Sequence, residues 1–202
     1  MKKFFVSVLV ALLATIAVPV VVLAAPATNQ GPLQHCVMKL APLRPGQHTS
    51  DILGSSCYQT FAEAIAAATG GRVHLASTIR PQDLTQVMLN TGLNATSQSA
   101  SNVTNTQYVL SVEYWDWHDS GATWTPTGSA PCSSSIGYNV SYVGNTWNDQ
   151  ISSATGYSGC NHVKHWDNSG FKGSNIMCTN SSSTCWTMGA MNDHTSSIEW
   201  NH

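Results

Sequence analysis

The stretch Asn148-Asp149-Gln150-Ile151-Ser152-Ser153 recurs near the end of the chain as Asn192-Asp193-His194-Thr195-Ser196-Ser197. Both copies read N-D-x-x-S-S, and we call them clamp one and clamp two. Each places an amide, a carboxylate and two hydroxyls close together, and oxygen-only ligand sets suit hard cations such as Ca²⁺. A single copy would instead be read as turns in which Asn, Asp and Ser side chains bond their own backbone. The recurrence is what distinguishes the two interpretations.

A second feature recurs in the same order, an aromatic residue followed seven residues later by glycine. One copy runs from Tyr114 to Gly121 and the other from Trp166 to Gly173. Each copy precedes one clamp, and each half of 108–202 is long enough for four short antiparallel strands. Because repeated patterns outrank single motifs, we predict a duplicated β domain and favour ion binding over simple turns.

These paired motifs resemble the microbial βγ-crystallin domain. That family carries (Y/F/W)-x₄-(Y/F/W)-x-G at the first hairpin of each Greek key and (N/D)-(N/D)-x-x-(S/T)-S near its end. Both clamps match, and the second half completes the hairpin pattern at Trp166, Phe171 and Gly173. In the first half Asp119 stands where the second aromatic belongs, so that hairpin either folds differently or takes its ring from Trp117. The resemblance covers about 108–202 and implies an all-β Greek-key sandwich.

In that family each calcium ion is shared between the two halves, so the resemblance implies about two ions and two ligand sets. Site A would use the Gln150 carbonyl, Ser152, Asp193 and the carbonyl of Trp115 or its neighbour. Site B would use the His194 carbonyl, Ser196, the Asp149 carboxylate and the backbone carbonyl of Asp167. Asn148 and Asn192 would brace the two loops. With about one carboxylate per site, we expect a modest affinity, on the order of micromolar to millimolar.

The composition of the chain changes near residue 105. All seven Trp residues follow residue 114, whereas the alanine clusters that follow the leader precede residue 77. Segment 93–107 carries no charge and is rich in Asn, Ser, Thr and Ala, which is typical of a linker. We therefore predict four segments: a signal peptide (1–24), a small α/β N-terminal region (25–92), the linker (93–107) and the βγ-crystallin-like domain (108–202).

The first 24 residues have the pattern of an export signal. Lys2 and Lys3 precede a nearly unbroken apolar run that ends in small residues. A run of this length could also be retained as a membrane anchor, but the small residues favour cleavage. We expect a secreted, extracellular protein that contacts a membrane only if the leader is kept.

Local patterns predict the elements of 25–92. Strands are expected at 36–40 and, by alternation, at 72–76. Thr60 and Glu63 form a capping box that begins a helix, and Gly70-Gly71 ends it.

Further elements follow from the same kinds of signal. A second helix opened by Pro81 is expected at 84–89, ending before Gly92. Segments 109–114 and 163–166 are predicted strands of the β domain.

Six cysteines form an even set, and in an exported protein disulfides are the default. Six cysteines allow fifteen pairings. The simplest choice keeps each pair within one region: Cys36 with Cys57, Cys132 with Cys160, and Cys178 with Cys185. No closely spaced C-x₂₋₄-C pair is present to bind zinc.

Several function classes are disfavoured. Charged residues make up 9% of the chain with no basic stripe, which argues against nucleic acid. Residues 108–202 carry two lysines against seven carboxylates, a net charge of −5 with His neutral, which suits a cation ligand. No G-x-S-x-G or H-E-x-x-H motif is present. Asp116 and Asp119 are read as turn formers or neighbours of the ion site, and His162 and His165 would point to opposite faces of a strand.

We therefore expect a non-enzymatic, monomeric, secreted protein in which calcium and disulfides stabilise a β-sandwich outside the cell. Its partners would be calcium and an extracellular protein or glycan. One alternative is a secreted metalloprotease inhibitor, since some small exported bacterial inhibitors resemble this fold. Another is an enzyme or a wall-binding module that uses the Trp-rich surface.

Overall fold

The computed structural model describes residues 34–96, 106–179 and 183–202, which are mostly β-sheet with two α-helices. The strands are β1 (His35–Leu40), β2 (Ile52–Tyr58), β3 (Tyr108–Val109), β4 (Ser111–Asp116), β5 (Ser120–Gly128), β6 (Tyr138–Val140), β7 (Ser153–Gly156), β8 (His162–Asn168), β9 (Lys172–Cys178) and β10 (Ser197–Asn201). The helices are α1 (Phe61–Ala68) and α2 (Gln86–Thr96), and 3₁₀ turns occupy Pro81–Asp83, Ser183–Trp186 and Gly189–Met191. The predicted signal peptide and residues 97–105 of the predicted linker lie outside the described residues.

The strands form two sheets. The larger has the order β2-β1-β5-β4-β7, with β3 also paired to β5, and the smaller has the order β6-β10-β8-β9. At this level the structure agrees with the predicted all-β class for 108–202.

The N-terminal hairpin extends the larger sheet. Strands β1 and β2 pair antiparallel, and β1 pairs parallel with β5 from His35 opposite Thr123 to Leu40 opposite Gly128. Regions 25–92 and 108–202 therefore contribute strands to one sheet. The domain bounds drawn from composition stay a prediction, because composition carries no information on which distant strands pair.

Helix α1 begins as predicted. The Thr60 hydroxyl accepts from the Glu63 amide at 3.3 Å, and the Glu63 carboxylate accepts from the Thr60 amide at 3.1 Å. After the helix, Gly70 and Gly71 have φ values of 65° and 79°, which glycine adopts without a Cβ penalty. Both signals were read correctly because each acts within a few residues of the helix end.

The strand predicted at 72–76 is wrong, since these residues lie in an irregular segment. Val73 packs among the residues under the helices. The Arg72 guanidinium donates to the carbonyl of Gln107 and lies over the Tyr108 ring, 5.7 Å from its centroid. The alternation therefore reflects burial against the helical layer and not pairing with another strand.

The bounds predicted for the second helix are also wrong. Residues Pro81–Asp83 form a 3₁₀ turn, and α2 begins only at Gln86. The Thr85 hydroxyl accepts from the Met88 amide at 3.3 Å and so caps the helix. Helix α2 continues through Gly92, so residues 93–96 of the predicted linker are helical.

Other strand predictions are confirmed with small shifts. The strands expected at 36–40 and 163–166 lie within β1 and β8, whereas 109–114 is divided between β3 and β4 at Leu110. Strand β2 was missed, because its sequence Ile-Leu-Gly-Ser-Ser-Cys-Tyr has no polar–apolar alternation.

The larger sheet is covered on both faces. Between the two sheets lies one cluster that includes Leu110, Trp124 and Trp200. On the opposite face Val112 and Tyr114 of β4 pack with α1. Strand β4 is therefore buried on both sides through Tyr114 and reaches solvent only at its end.

All three predicted disulfides are present: Cys36–Cys57, Cys132–Cys160 and Cys178–Cys185. Three disulfides indicate an oxidising environment. In the described part of the chain, no helix combines the length and apolar character needed to cross a membrane.

Candidate metal site

The Ser152 hydroxyl oxygen lies close to two other oxygens that belong to different parts of the chain. Ser152 Oγ is 2.7 Å from the carbonyl oxygen of Trp115 and 2.7 Å from Asp193 Oδ1. Ser152 belongs to clamp one, Asp193 to clamp two, and Trp115 to β4. A serine hydroxyl has one proton to donate, yet two acceptors lie equally close. The structure thus brings together three of the four groups of site A.

The spacing of these oxygens suits a shared cation. Ca²⁺ binds oxygens at 2.3–2.6 Å, often in a pentagonal bipyramid. Neighbouring oxygens in the pentagon are then about 2.8 Å apart. The two 2.7 Å separations around Ser152 are close to that value.

Backbone hydrogen bonds hold the three oxygens in place. The Ser152 amide donates to the carbonyl of Tyr114 at 2.9 Å, and the Asp193 amide donates to the carbonyl of Ile151 at 3.2 Å. Asp193 has φ 55°, in the left-handed region that Asp tolerates better than most residues. The Asn192 amide group donates to Asp193 Oδ2 at 2.8 Å, which leaves Oδ1 directed at Ser152.

Clamp one has the same local backbone as clamp two. Asp149 has φ 57°, and its amide donates to the carbonyl of Thr195 at 3.1 Å. Asn148 donates to Asp149 Oδ2 at 2.7 Å. The Ser196 amide donates to the carbonyl of Trp166 at 2.8 Å. The two clamps are thus hydrogen-bonded to each other. Clamp one is also bonded to β4 and clamp two to β8, and each of these strands leads into a hairpin.

Site B is less assembled than site A. Within the described residues the Ser196 hydroxyl makes no hydrogen bond matching those of Ser152. Asp167 Oδ1 lies 3.9 Å from His194 Nδ1, and the two side chains are 37% and 61% exposed, respectively. The structure therefore places the site B residues on the two clamps and at the end of β8, without a hydrogen bond between the Ser196 hydroxyl and the Asp149 carboxylate.

The carbonyls of Gln150 and His194 accept no hydrogen bond from any described residue. Their amides instead donate to the carbonyls of Trp147 and Met191, both at 3.2 Å. Each clamp therefore has one carbonyl at its third position that remains open to a ligand.

The last serine of each clamp has a role that the sequence did not reveal. Ser153 Oγ donates to the carbonyl of Asp116 at 2.6 Å and accepts from the amide of Asp119 at 3.0 Å. Ser197 Oγ bonds the second hairpin in the same way, to the Asn168 carbonyl and the Phe171 amide. The recurring Ser-Ser doublet was the available signal. In clamp one the first hydroxyl contacts the Trp115 carbonyl and Asp193, and in both clamps the second hydroxyl bonds the backbone of the hairpin.

The two hairpins share one backbone conformation, so the possibility that the first folds differently is wrong. Asp119 has φ 57° where Phe171 has 61°, and Gly121 and Gly173 both have φ 82°. The φ of 82° at Gly121 lies in a region that L side chains rarely adopt, and a Cβ there would also lie 2.5 Å from a carboxylate oxygen of Asp116, so this position favours glycine.

The residues around the first hairpin make further contacts near site A. The Asp119 carboxylate accepts from the Thr155 hydroxyl at 3.0 Å, and burial raises the pKa of Asp119. The Trp117 indole N–H donates to the side-chain oxygen of Asn192, and its ring is 54% exposed. Trp115 is partly exposed beside Trp147, with ring centroids 5.6 Å apart.

The histidine pair behaves as expected for a strand. His162 is exposed and His165 is fully buried, so their rings do not converge. In the described ranges, no group of three or more His, Cys, Asp or Glu side chains is arranged to hold a metal. Site A consists instead of one carboxylate, one hydroxyl and backbone carbonyls.

Comparison with family models, curated proteins and solved structures finds no match to this chain, so the interpretation of these sites rests on their geometry.

Proposed function

We propose that residues 108–202 form a calcium-binding domain of the βγ-crystallin type in a secreted, non-enzymatic protein. The observation that carries this proposal is the convergence of Ser152 Oγ, Asp193 Oδ1 and the Trp115 carbonyl at site A. A divalent cation would accept a lone pair from each of the three oxygens at once, while the Ser152 hydroxyl keeps its proton and turns it away from the ion.

Strand pairing supports a pair of Greek keys. In a Greek key the fourth strand returns beside the first. In the first half, β7 pairs with β4, and β4 with β5. In the second half the described residues form three strands, and the last of them, β10, likewise pairs with the first, β8, which also pairs with β9. Strand β6 of the first half pairs with β10 of the second, which supports two interlocked halves.

Site A is expected to be filled first. Its oxygens already lie at suitable distances, so little reorganisation opposes binding. Site B requires Ser196 and Asp149 to approach each other and therefore binds more weakly. With one carboxylate in each set, affinities on the order of micromolar to millimolar are expected.

Calcium would stabilise the folded domain by mass action. A ligand that binds only the folded state adds about 2.7 kcal/mol when its concentration is 100 times Kd. Export through the predicted leader would place the protein where disulfides persist and calcium is abundant. We therefore propose that calcium and the disulfides act together to maintain the fold outside the cell.

The proposal is tested by calorimetric titration of the disulfide-bonded chain with Ca²⁺, with thermal melts in Ca²⁺ and in chelator. We expect about two sites and a higher Tm in Ca²⁺. Asp193→Asn keeps the side-chain shape but removes the only carboxylate of site A, so the tighter binding step should be lost. Asp149→Asn should remove only the weaker step.

Asp83→Asn is the matched control, because Asp83 pairs with Arg80 and belongs to neither site. It should titrate as the unaltered chain does. If the unaltered chain produces no heat and no change in Tm, the clamps are turns only and the proposal is wrong. The same conclusion follows if Asp193→Asn and Asp83→Asn bind calcium equally.

A further inference from the structure

Strand β2 is an open edge of the larger sheet. Its only strand partner among the described residues is β1. It contains seven residues, none of them charged and none proline. The other sheet ends differ: β6 and β7 have three and four residues, and β9 begins with Lys172. Short length and edge lysines are common protections against strand addition.

The direction of the free backbone groups follows from the neighbouring strand. The carbonyl of Gln34 accepts from the amide of Thr123, so Gln34 faces β5. Alternation then turns the backbone groups of Cys36 toward β5 as well. Cys36 lies opposite Cys57 with a Cα separation of 3.9 Å, which fits a pair that exchanges no hydrogen bonds. The N–H and C=O groups of Cys57, and of Ser55 two residues earlier, therefore point outward.

The regular part of this edge is five residues long. The register between β1 and β2 shifts at Leu40, which places an irregularity near Leu53. From Gly54 to Tyr58 the pairing is continuous. Ile52 and Leu53 lie just before this segment, and their side chains are 56% and 63% exposed. The Cys36–Cys57 disulfide fixes the segment to β1 and keeps it extended.

The segment is complementary to itself. In an antiparallel pair centred on Ser56, Ser55 of each copy faces Cys57 of the other, and their outward groups form about four hydrogen bonds. Gly54 then faces Tyr58 of the other copy. Space above Gly54 is open, since a Cβ there would meet nothing within 4 Å. An aromatic ring opposite a glycine is a favourable pair at a sheet edge.

We propose that two copies of this chain associate through β2, forming an antiparallel pair around Ser56 that joins the two larger sheets. The partner is a second copy because the segment matches itself in this register: Gly54 at one end faces Tyr58 at the other, and no residue of the segment is charged. The monomer expected from the sequence is then the species present at low protein concentration, and the dimer forms as the concentration rises. This association is independent of calcium binding.

The test is sedimentation velocity of the disulfide-bonded chain in chelator from about 1 µM to about 1 mM. We expect a concentration-dependent shift from monomer to dimer. Ser55→Pro removes an outward N–H without removing a hydrogen bond to β1, so this variant should remain monomeric. Ser55→Thr keeps the N–H and is the matched control, which should dimerise.

Leu53→Lys is a second variant that does not rely on proline. It places a charge beside the edge and should also remain monomeric. Circular dichroism confirms that each variant is folded. Hydrogen exchange should show the Ser55 and Cys57 amides protected in the dimer and exposed in the monomer.

Three results would overturn the proposal. One is a monomer at every concentration. Another is a dimer that persists in both Ser55→Pro and Leu53→Lys, because the contact must then use another surface. The third is a monomer in which the Ser55 and Cys57 amides are already protected, because another segment of the same chain must then cover the edge.

Discussion

Glu113 and His165 meet in the interior between the two sheets, with Glu113 Oε2 3.5 Å from His165 Nε2 and both side chains fully buried. Glu113 accepts a hydrogen bond from the Ser111 hydroxyl, which in turn accepts from the Trp200 indole at 2.7 Å. Burial raises the pKa of Glu113 to about 8 and lowers the pKa of His165 to about 3. The carboxyl is therefore protonated and the imidazole neutral at moderate pH.

This pair predicts a specific dependence of stability on pH. An ordinary Glu carboxyl has a pKa of 4.5, so the unfolded chain releases a proton that the folded chain keeps up to about pH 8. The contribution of Glu113 is thus complete below pH 4.5 and is lost as pH rises through 8. His165 acts oppositely, with a contribution complete above 6.5 and lost as pH falls toward 3.

Between pH 6.5 and 8, Glu113 is the one member of this pair whose contribution to the free energy of unfolding changes with pH. Over that range the free energy of unfolding of the unaltered protein should fall by about 2 kcal/mol more than that of Glu113→Gln. Urea denaturation at several pH values measures the difference. Equal slopes for the two proteins would show that Glu113 is not held protonated.

The second serine of each clamp should matter for stability without calcium. Ser153→Ala leaves the Asp116 carbonyl and the Asp119 amide without their partner. We expect a cost of about 1–3 kcal/mol in chelator, with a similar cost for Ser197→Ala. Denaturant titration measures both. The exposed Ser55→Ala is the control and should stay within about 0.5 kcal/mol of the unaltered protein.

Terbium offers an optical test of site A. Tb³⁺ binds oxygen sites in place of Ca²⁺ and emits when a nearby indole is excited. The Trp115 carbonyl lies in site A, whereas Trp186 lies outside both ligand sets. Trp115→Phe keeps the carbonyl, so it should reduce the sensitised emission while leaving the stoichiometry unchanged. Trp186→Phe should reduce emission less, and equal losses would place the ion elsewhere.

The disulfides should differ in their contribution to stability. Cys132–Cys160 closes a separation of 28 residues and Cys178–Cys185 one of 7. In the chain-entropy model these loops contribute about 3.5 and about 2.5 kcal/mol. The Cys132→Ala, Cys160→Ala double variant should therefore unfold at lower denaturant than the Cys178→Ala, Cys185→Ala one. The reverse order would show that native-state contacts outweigh loop entropy.

The sequence by itself determined the features that depend on neighbouring residues. The capping box at Thr60 and Glu63 involves groups three residues apart, so its pattern was sufficient. The clamps and the two hairpins were likewise visible as short repeated patterns. The prediction of Cys36 with Cys57 followed from their being the two cysteines of the N-terminal region, whereas the four cysteines of 108–202 allowed three pairings and the structure joins Cys132 to Cys160 and Cys178 to Cys185.

Tertiary structure alone decided which distant segments meet. Alternation at 72–76 predicted a strand where the structure has an irregular segment, while β2, which lacks alternation, pairs continuously with β1 from Gly54 to Tyr58. The parallel pairing of β1 with β5 and the meeting of Glu113 with His165 left no local signal. The oxygens of Ser152 and Asp193 belong to different clamps, and only the packing of the two halves places them 2.7 Å apart. Short-range patterns report bonds within a few residues, whereas pairing between distant segments depends on which surfaces bury each other.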